Sequence, residues 1–133
     1  MNLVSDSSAL IAYLGDEPGA ELVERLLLDR ANVCFVHALN LCEVFYGVRR
    51  AYGENVAQET VYALLDTGLV VREDLDEEFW QQAGRTKSDF RRIALADCFC
   101  ANLADRVGGD VITADREFAP LRDEGRCPVT FIR

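Results

Sequence analysis

Residues 93–118, IALADCFCANLADRVGGDVITADREF, restrict the possible folds of this chain more than any other stretch. From Ile93 to Val107 the run is dense in Ala, Leu, Cys and Phe and free of Pro and Gly, which predicts a mostly buried helix with a thin wet edge. Gly108-Gly109 stops it, and Asp110–Thr113 (DVIT) has the length and composition of a short buried strand. In an α/β sheet the crossover helix runs antiparallel to the strands, so the start of this helix and the end of this strand share one edge. Asp97, near that start, and Asp115, just past that end, are predicted to face a common crevice.

Asp97 is the unusual member of the pair. At about 100° per residue it points roughly 180° from Arg106 and roughly 140° from Asn102, away from the most obviously solvated part of the helix. A carboxylate placed there needs a reason.

The rest of the chain alternates strand and helix. Asn2 to Asp6 reads as a short strand, Ser7 to Leu14 as a helix closed by Gly15, and Asp16-Glu17-Pro18-Gly19 as a turn. Ala20–Asp29 has apolar residues at helical spacing, and Val33–Val36 (VCFV) is a continuous apolar run of the kind found in a central parallel strand. His37–Tyr52 and Asn55–Leu65 read as helices, Leu69–Val71 as a third strand, Asp76–Ser88 as a helix with an acidic first turn, and Pro128–Ile132 as an edge strand. The pattern predicts an α/β three-layer α/β/α sandwich around a mostly parallel sheet, a single domain over residues 1–133.

No apolar run approaches the roughly 20 residues that cross a bilayer, and Met1-Asn2-Leu3 enters a strand without a basic leader, so the expectation is a cytoplasmic protein with no membrane partner. The five cysteines form no C-x-x-C pair and sit mostly among apolar neighbours, which disfavours zinc and disulfides. A net charge of −9 opposes non-specific binding to nucleic acid. Locally the balance differs: Arg85, Lys87, Arg91 and Arg92 crowd the approach to the Asp97 helix, offset only by Asp89, as either solvated surface or a guide for a phosphate backbone.

Four acids map to the same sheet edge: Asp6 after the first strand, Glu43 one turn into the helix after the second, Asp97 and Asp115. Each has a purely structural account. Asp6 can cap the helix at Ser7, Asn40 with Glu43 fits a capping box, and Asp115 can cap the turn at Arg116. Gathered together, they repel. Carboxylates about 5 Å apart cost about 3 kcal/mol per pair at an effective dielectric near 20, so a cation or shared protons must intervene. All-oxygen donors without convergent His or Cys suit Mg²⁺ or Mn²⁺, whose chemistry here is phosphodiester hydrolysis. Thr113 can direct its hydroxyl at an acid or a bound water. Ser7 and Ser8 are ambiguous, and the lone His37 has no nucleophile to activate and reads as structural. No G-x-S-x-G elbow is present.

The segments Asp6 to Leu14 (DSSALIAYL), Leu41 to Gly47 (LCEVFYG), Leu95 to Ala101 (LADCFCA) and Ile112 to Phe118 (ITADREF) resemble, in order and spacing, the four acidic motifs of PIN domains, especially the VapC-type toxins of prokaryotic toxin–antitoxin pairs. The resemblance implies a PIN-like fold, Mg²⁺- or Mn²⁺-dependent endoribonuclease activity on an RNA substrate, inhibition by a small cognate antitoxin, and a homodimer. It also implies that Asp6 and Asp97 are the principal metal ligands, with Glu43 and Asp115 completing the site and Thr113 supporting it. Asn40 departs from the family, where a small hydroxyl residue is commoner. Two alternatives stand beside this reading: a Mg²⁺-binding phosphoacceptor (receiver-like) domain, which usually has two adjacent acids after its first strand and a Lys after its last, and a catalytically idle PIN-like domain that binds RNA or protein.

Overall fold

Leu3 and Val4 are neighbours in one strand and therefore point to opposite faces of a sheet. In the computed structural model, which describes all 133 residues, Leu3 packs with Leu10, Val23, Val36 and Val44, whereas Val4 packs with Phe79, Cys98, Leu103 and Phe118. Ile112 and Val111 divide between the same two cores. This alternation makes the three layers. Each fully buried Leu or Phe contributes about 1.5–3 kcal/mol, so both faces of the sheet hold the fold together.

The strands are β1 (Asn2–Ser5), β2 (Val33–His37), β3 (Val70–Arg72), β4 (Asp110–Thr113) and β5 (Val129–Phe131), and the helices α1 (Ser7–Leu14), α2 (Ala20–Leu28), α3 (Ala38–Tyr52), α4 (Glu54–Asp66), α5 (Glu77–Asp89), α6 (Leu95–Val107) and α7 (Ala119–Asp123). The sheet order is β3-β2-β1-β4-β5, and every pairing is parallel, including that of the edge strand β5. From β1 the chain steps outward to β2 and β3, then returns through α5 and α6 to the far side of β1. The strand order thus reverses between β1 and β4, and the crevice outside their carboxyl ends is where such sheets bind ligands.

Four local expectations shift. The helix expected from Ile93 begins at Leu95, and Ile93 is buried in the loop before it. His37 ends β2 and caps α3 rather than starting it. Helix α7, with Pro120 in its first turn, was not expected at all. Asn102, expected at a wet edge, is buried and donates to the Phe79 carbonyl at 2.9 Å.

Gly108 ends α6 with φ +64°, and Gly109 then passes β1 so closely that an added Cβ would lie 2.5 Å from the Asn2 carbonyl oxygen. Gly109→Ala is expected to destabilise the protein by about 1–3 kcal/mol, because the obstacle is backbone that cannot rotate away. Gly84, exposed in the middle of α5 with nothing within 4 Å of its Cβ position, supplies the contrast. Gly84→Ala is expected to gain up to about 1 kcal/mol. Denaturant melts of the two variants that came out in the reverse order would contradict this packing.

Candidate acidic active site

Asp6 follows β1 directly and caps α1, as its structural account required, yet it does more than cap. Its Oδ1 accepts from the Ala9 amide at 2.9 Å and from Ser8 Oγ at 2.8 Å, and its Oδ2 lies 2.9 Å from the same Ser8 hydroxyl and 2.5 Å from Thr113 Oγ1. Those hydroxyls are themselves aimed. The Asp115 amide donates to Thr113 Oγ1 at 2.9 Å, and the Ala114 amide donates to Ser8 Oγ at 2.9 Å. Two backbone amides at the end of β4 thus fix two hydroxyl groups as donors to a carboxylate at the end of β1, and each bond in such a chain polarises the next. Burial nevertheless raises the Asp6 pKa, outweighing the hydrogen bonds from Thr113, Ala9 and Ser8, and the charge of Asp115 adds to the rise.

Ser7, the first residue of α1, donates from Oγ to Glu43 Oε1 at 3.1 Å. Ser7 and Ser8, ambiguous in the sequence, therefore hold one acid each. The signal that could have separated them from solvated cap residues lies in α3 and β4, not beside them. Asp115 caps the short 3-10 turn Arg116–Phe118, its Oδ1 accepting from the Glu117 amide at 2.9 Å.

Asp97 is the third residue of α6 and is buried, with 6% of its surface exposed. Its pKa is pushed up to about 7, first by burial and then by the charges of Asp6, Asp115, Glu43 and Glu117. The other three acids singled out from the sequence thus all act on Asp97, and Glu117, which sequence reasoning missed, joins them. Its sole sequence signal was its place two residues after Asp115. None of the seven ion pairs involves any of the five acids, so no Arg or Lys neutralises the group.

No group of three or more His, Cys, Asp or Glu side chains is arranged to hold a metal ion directly. Both Asp6 oxygens and one Asp115 oxygen accept hydrogen bonds from the protein, and each keeps a further lone pair. The donor set still suits Mg²⁺, which keeps several waters and takes only one or two carboxylates directly.

Around the acids, Asn40 is buried in α3 and donates from Nδ2 to the Ala96 carbonyl at 3.2 Å, tying α3 to the turn that presents Asp97, while its Oδ1 has no partner. The Asn40–Glu43 capping box does not form, because His37 takes the cap of α3 by accepting from the Leu39 amide at 3.1 Å. His37 Nε2 lies 2.9 Å from the Asp74 carbonyl oxygen, and its ring packs on Phe79 and Phe99, contacts that are structural. All five cysteines are free thiols; four are buried and Cys42 is exposed.

No curated protein matches this sequence. Solved structures match its fold along nearly its whole length. A chain of VapBC2 from Rickettsia felis, solved with a DNA fragment from its promoter, superposes with a TM-score of 0.77 at 14% identity, covering 98% of both chains. A chain of DNA-bound VapBC from Salmonella typhimurium gives 0.76 at 16%, covering 100% of this chain and 99% of its own. VapC20 from Mycobacterium tuberculosis, described as a sarcin–ricin loop cleaving toxin, gives 0.69 at 18%, covering 89% and 93%. At these identities the likeness establishes the fold. No helix is long and apolar enough to cross a membrane. The PIN domain family model matches residues 3–123, which contain the sheet from β1 to β4 and every acid of the site, and the chain belongs to the PIN domain family.

Proposed function

We propose that this protein is a Mg²⁺- or Mn²⁺-dependent endoribonuclease, the toxin of a type II toxin–antitoxin pair, formed by one domain over residues 1–133. The observation that carries the reading is Asp97, buried among Asp6, Glu43 and Asp115 with no cationic side chain to balance them. Acids so placed destabilise a protein that does not use them.

Asp6 and Asp97 would hold the ion, and Glu43 and Asp115 would reach it through its waters. The bound ion supplies an activated water and neutralises charge on a phosphoryl oxygen. Thr113 and Ser8 fix the Asp6 carboxylate through the amides of Asp115 and Ala114. Ser7 orients Glu43. Asn40 anchors the first turn of α6, so that Asp97 faces the crevice at a constant height.

The partners in this reading are an RNA strand, a small antitoxin and a second copy of the chain; the VapBC complexes among the structural relatives support the antitoxin. An apolar groove of about 530 Å³ between α1, α3 and α4, lined by Ile11, Leu14, Val48, Tyr52 and Val56, offers the antitoxin a surface. The phosphoacceptor alternative loses ground here. Ser7 and Ser8 stand where its second acid belongs, and the only Lys, Lys87, is engaged with the Arg91 and Ile93 carbonyls.

The test is direct. Purified protein is expected to cut RNA with Mg²⁺ or Mn²⁺, to stop in EDTA, and to resume when the metal is returned. Cleavage undiminished in EDTA would overturn the reading.

A further inference from the structure

A chain with net charge −9 should pair its few cations with its many anions, and seven ion pairs do so. Arg91, Arg92 and Arg116 take part in none of them. They nevertheless share one pocket of about 330 Å³, which Ile93 and Glu117 also line. With Glu117 as the one acid in its lining, the pocket carries more cationic than anionic side chains, an excess that an anion from outside would balance.

The pocket is held in shape from below. Lys87 Nζ donates to the Arg91 carbonyl at 2.8 Å and to the Ile93 carbonyl at 2.7 Å, clamping the loop between α5 and α6, and Ile93 roots the loop in the core. The Arg91 and Arg92 side chains stay exposed. On the opposite wall Arg116 lies over the Phe131 ring, 4.5 Å from its centroid, and spends one donor on the Arg133 carbonyl. Its remaining donors are free. An arginine braced over a ring loses part of its side-chain freedom in advance, which favours binding its fork to the oxygens of a phosphate.

Position then selects the anion. One wall is the loop that enters α6 four residues before Asp97, and the other begins at the residue after Asp115. Glu117 belongs to both places, lining the pocket and standing among the acids around Asp97. The basic pocket therefore adjoins the acidic crevice, with Glu117 between them. A strand laid across the crevice would carry its next phosphates into the pocket.

We propose that Arg91, Arg92 and Arg116 form a subsite for a backbone phosphate of the RNA strand beside the scissile linkage. The proposal rests on the ribonuclease reading and deepens it. Because the chain as a whole carries a net charge of −9, this subsite sets where the strand lies and supplies most of its electrostatic attraction.

The test measures binding separately from cleavage. Fluorescence anisotropy with a labelled single-stranded RNA in Mg²⁺ is read on the Asp97→Asn chain, alone and with Arg91→Gln and Arg92→Gln together. The double change is expected to weaken binding about tenfold or more and to lower the slope of log Kd against log salt by about 1.4, since each phosphate contact on a single strand is worth about 0.7. With Asp97 intact, the same pair is expected to raise KM about tenfold and leave kcat within about threefold. Arg116→Lys is expected to give an intermediate loss, because it keeps the charge and removes the fork.

Arg25→Gln with Arg30→Gln is the control: both residues are exposed on and just beyond α2, outside the pocket, and the change in net charge is identical. It is expected to shift Kd less than about twofold. Equal weakening in the control and the pocket variant would overturn the proposal, because net charge alone would then explain it. RNA binding and cleavage unchanged in the pocket variant, with affinity lost only for an acidic partner protein, would overturn it too. A parent that cuts no RNA in any metal, yet binds it through these arginines, would sink the ribonuclease reading and leave the subsite standing.

Discussion

Asp97→Asn is expected to reduce RNA cleavage on the order of 1,000-fold or more while raising the melting temperature of the metal-free protein at pH 8. The two effects have one cause. The carboxyl is buried and surrounded by Asp6, Asp115, Glu43 and Glu117, so its charge costs stability unless a cation offsets it. An amide of the same shape removes that charge and with it the means of holding the cation. A merely structural Asp97 predicts the reverse pattern, with stability lost and activity falling in proportion. An Asp97→Asn protein that cut RNA at the parent's rate would remove Asp97 from the site.

The metal-free parent is expected to lose stability as pH rises from about 4 to about 7, and Mg²⁺ is expected to restore it. Asp97 titrates near pH 7 in the folded chain and near its ordinary 3.8 when unfolded, so between those values the folded state holds the extra proton. Stability then falls with rising pH across that window and levels off above it. Asp6, whose pKa is also raised by burial, adds in the same direction. Asp74 and Asp76 act oppositely. Arg72 lowers the pKa of the first and Arg106 that of the second, to about 2, so their contribution is present above the ordinary carboxylate value and lost below it. The metal-free protein should therefore be most stable near pH 4–5. Raising the pH to 8 should cost on the order of 2–4 kcal/mol from Asp97, roughly 5–15 °C in melting temperature for a chain of this size. Calorimetry in EDTA and in Mg²⁺ checks both limbs, and Asp97→Asn should flatten the slope between pH 5 and 8. A slope unchanged by that substitution would assign the titration elsewhere.

The parallel sheet was legible because its cause is local. A run such as VCFV is too uniformly apolar for a half-solvated strand, and Gly15, Gly53 and Gly108 stop the helices α1, α3 and α6. The positions of the four acids were legible for a related reason: each falls where a strand ends or a helix begins, and parallel topology puts those points on one edge. Helix α7 escaped notice because Pro120 resembles a break until it is seen in a first turn, where its missing amide costs nothing. The hydrogen-bond partners of those acids were not legible, because occupancy of a carboxylate oxygen is a tertiary property. Ser8 and Thr113 could be assigned to Asp6 only once β4 lay beside β1. The Asn40 capping box failed for want of the same information, since His37 was already at the cap.

The neighbour of β1 that completes the site is β4, and the hydroxyl that binds Asp6 belongs to a residue 107 positions away. A ribosome making this protein therefore adds 107 residues after Asp6 before Asp6 can meet Thr113. Until then the growing chain lacks the pairing that aligns its acids, and on the proposed function a product truncated before Thr113 is expected to leave RNA uncut. Sequence separation alone would thus defer the proposed activity until Thr113 has been made and folded against β1.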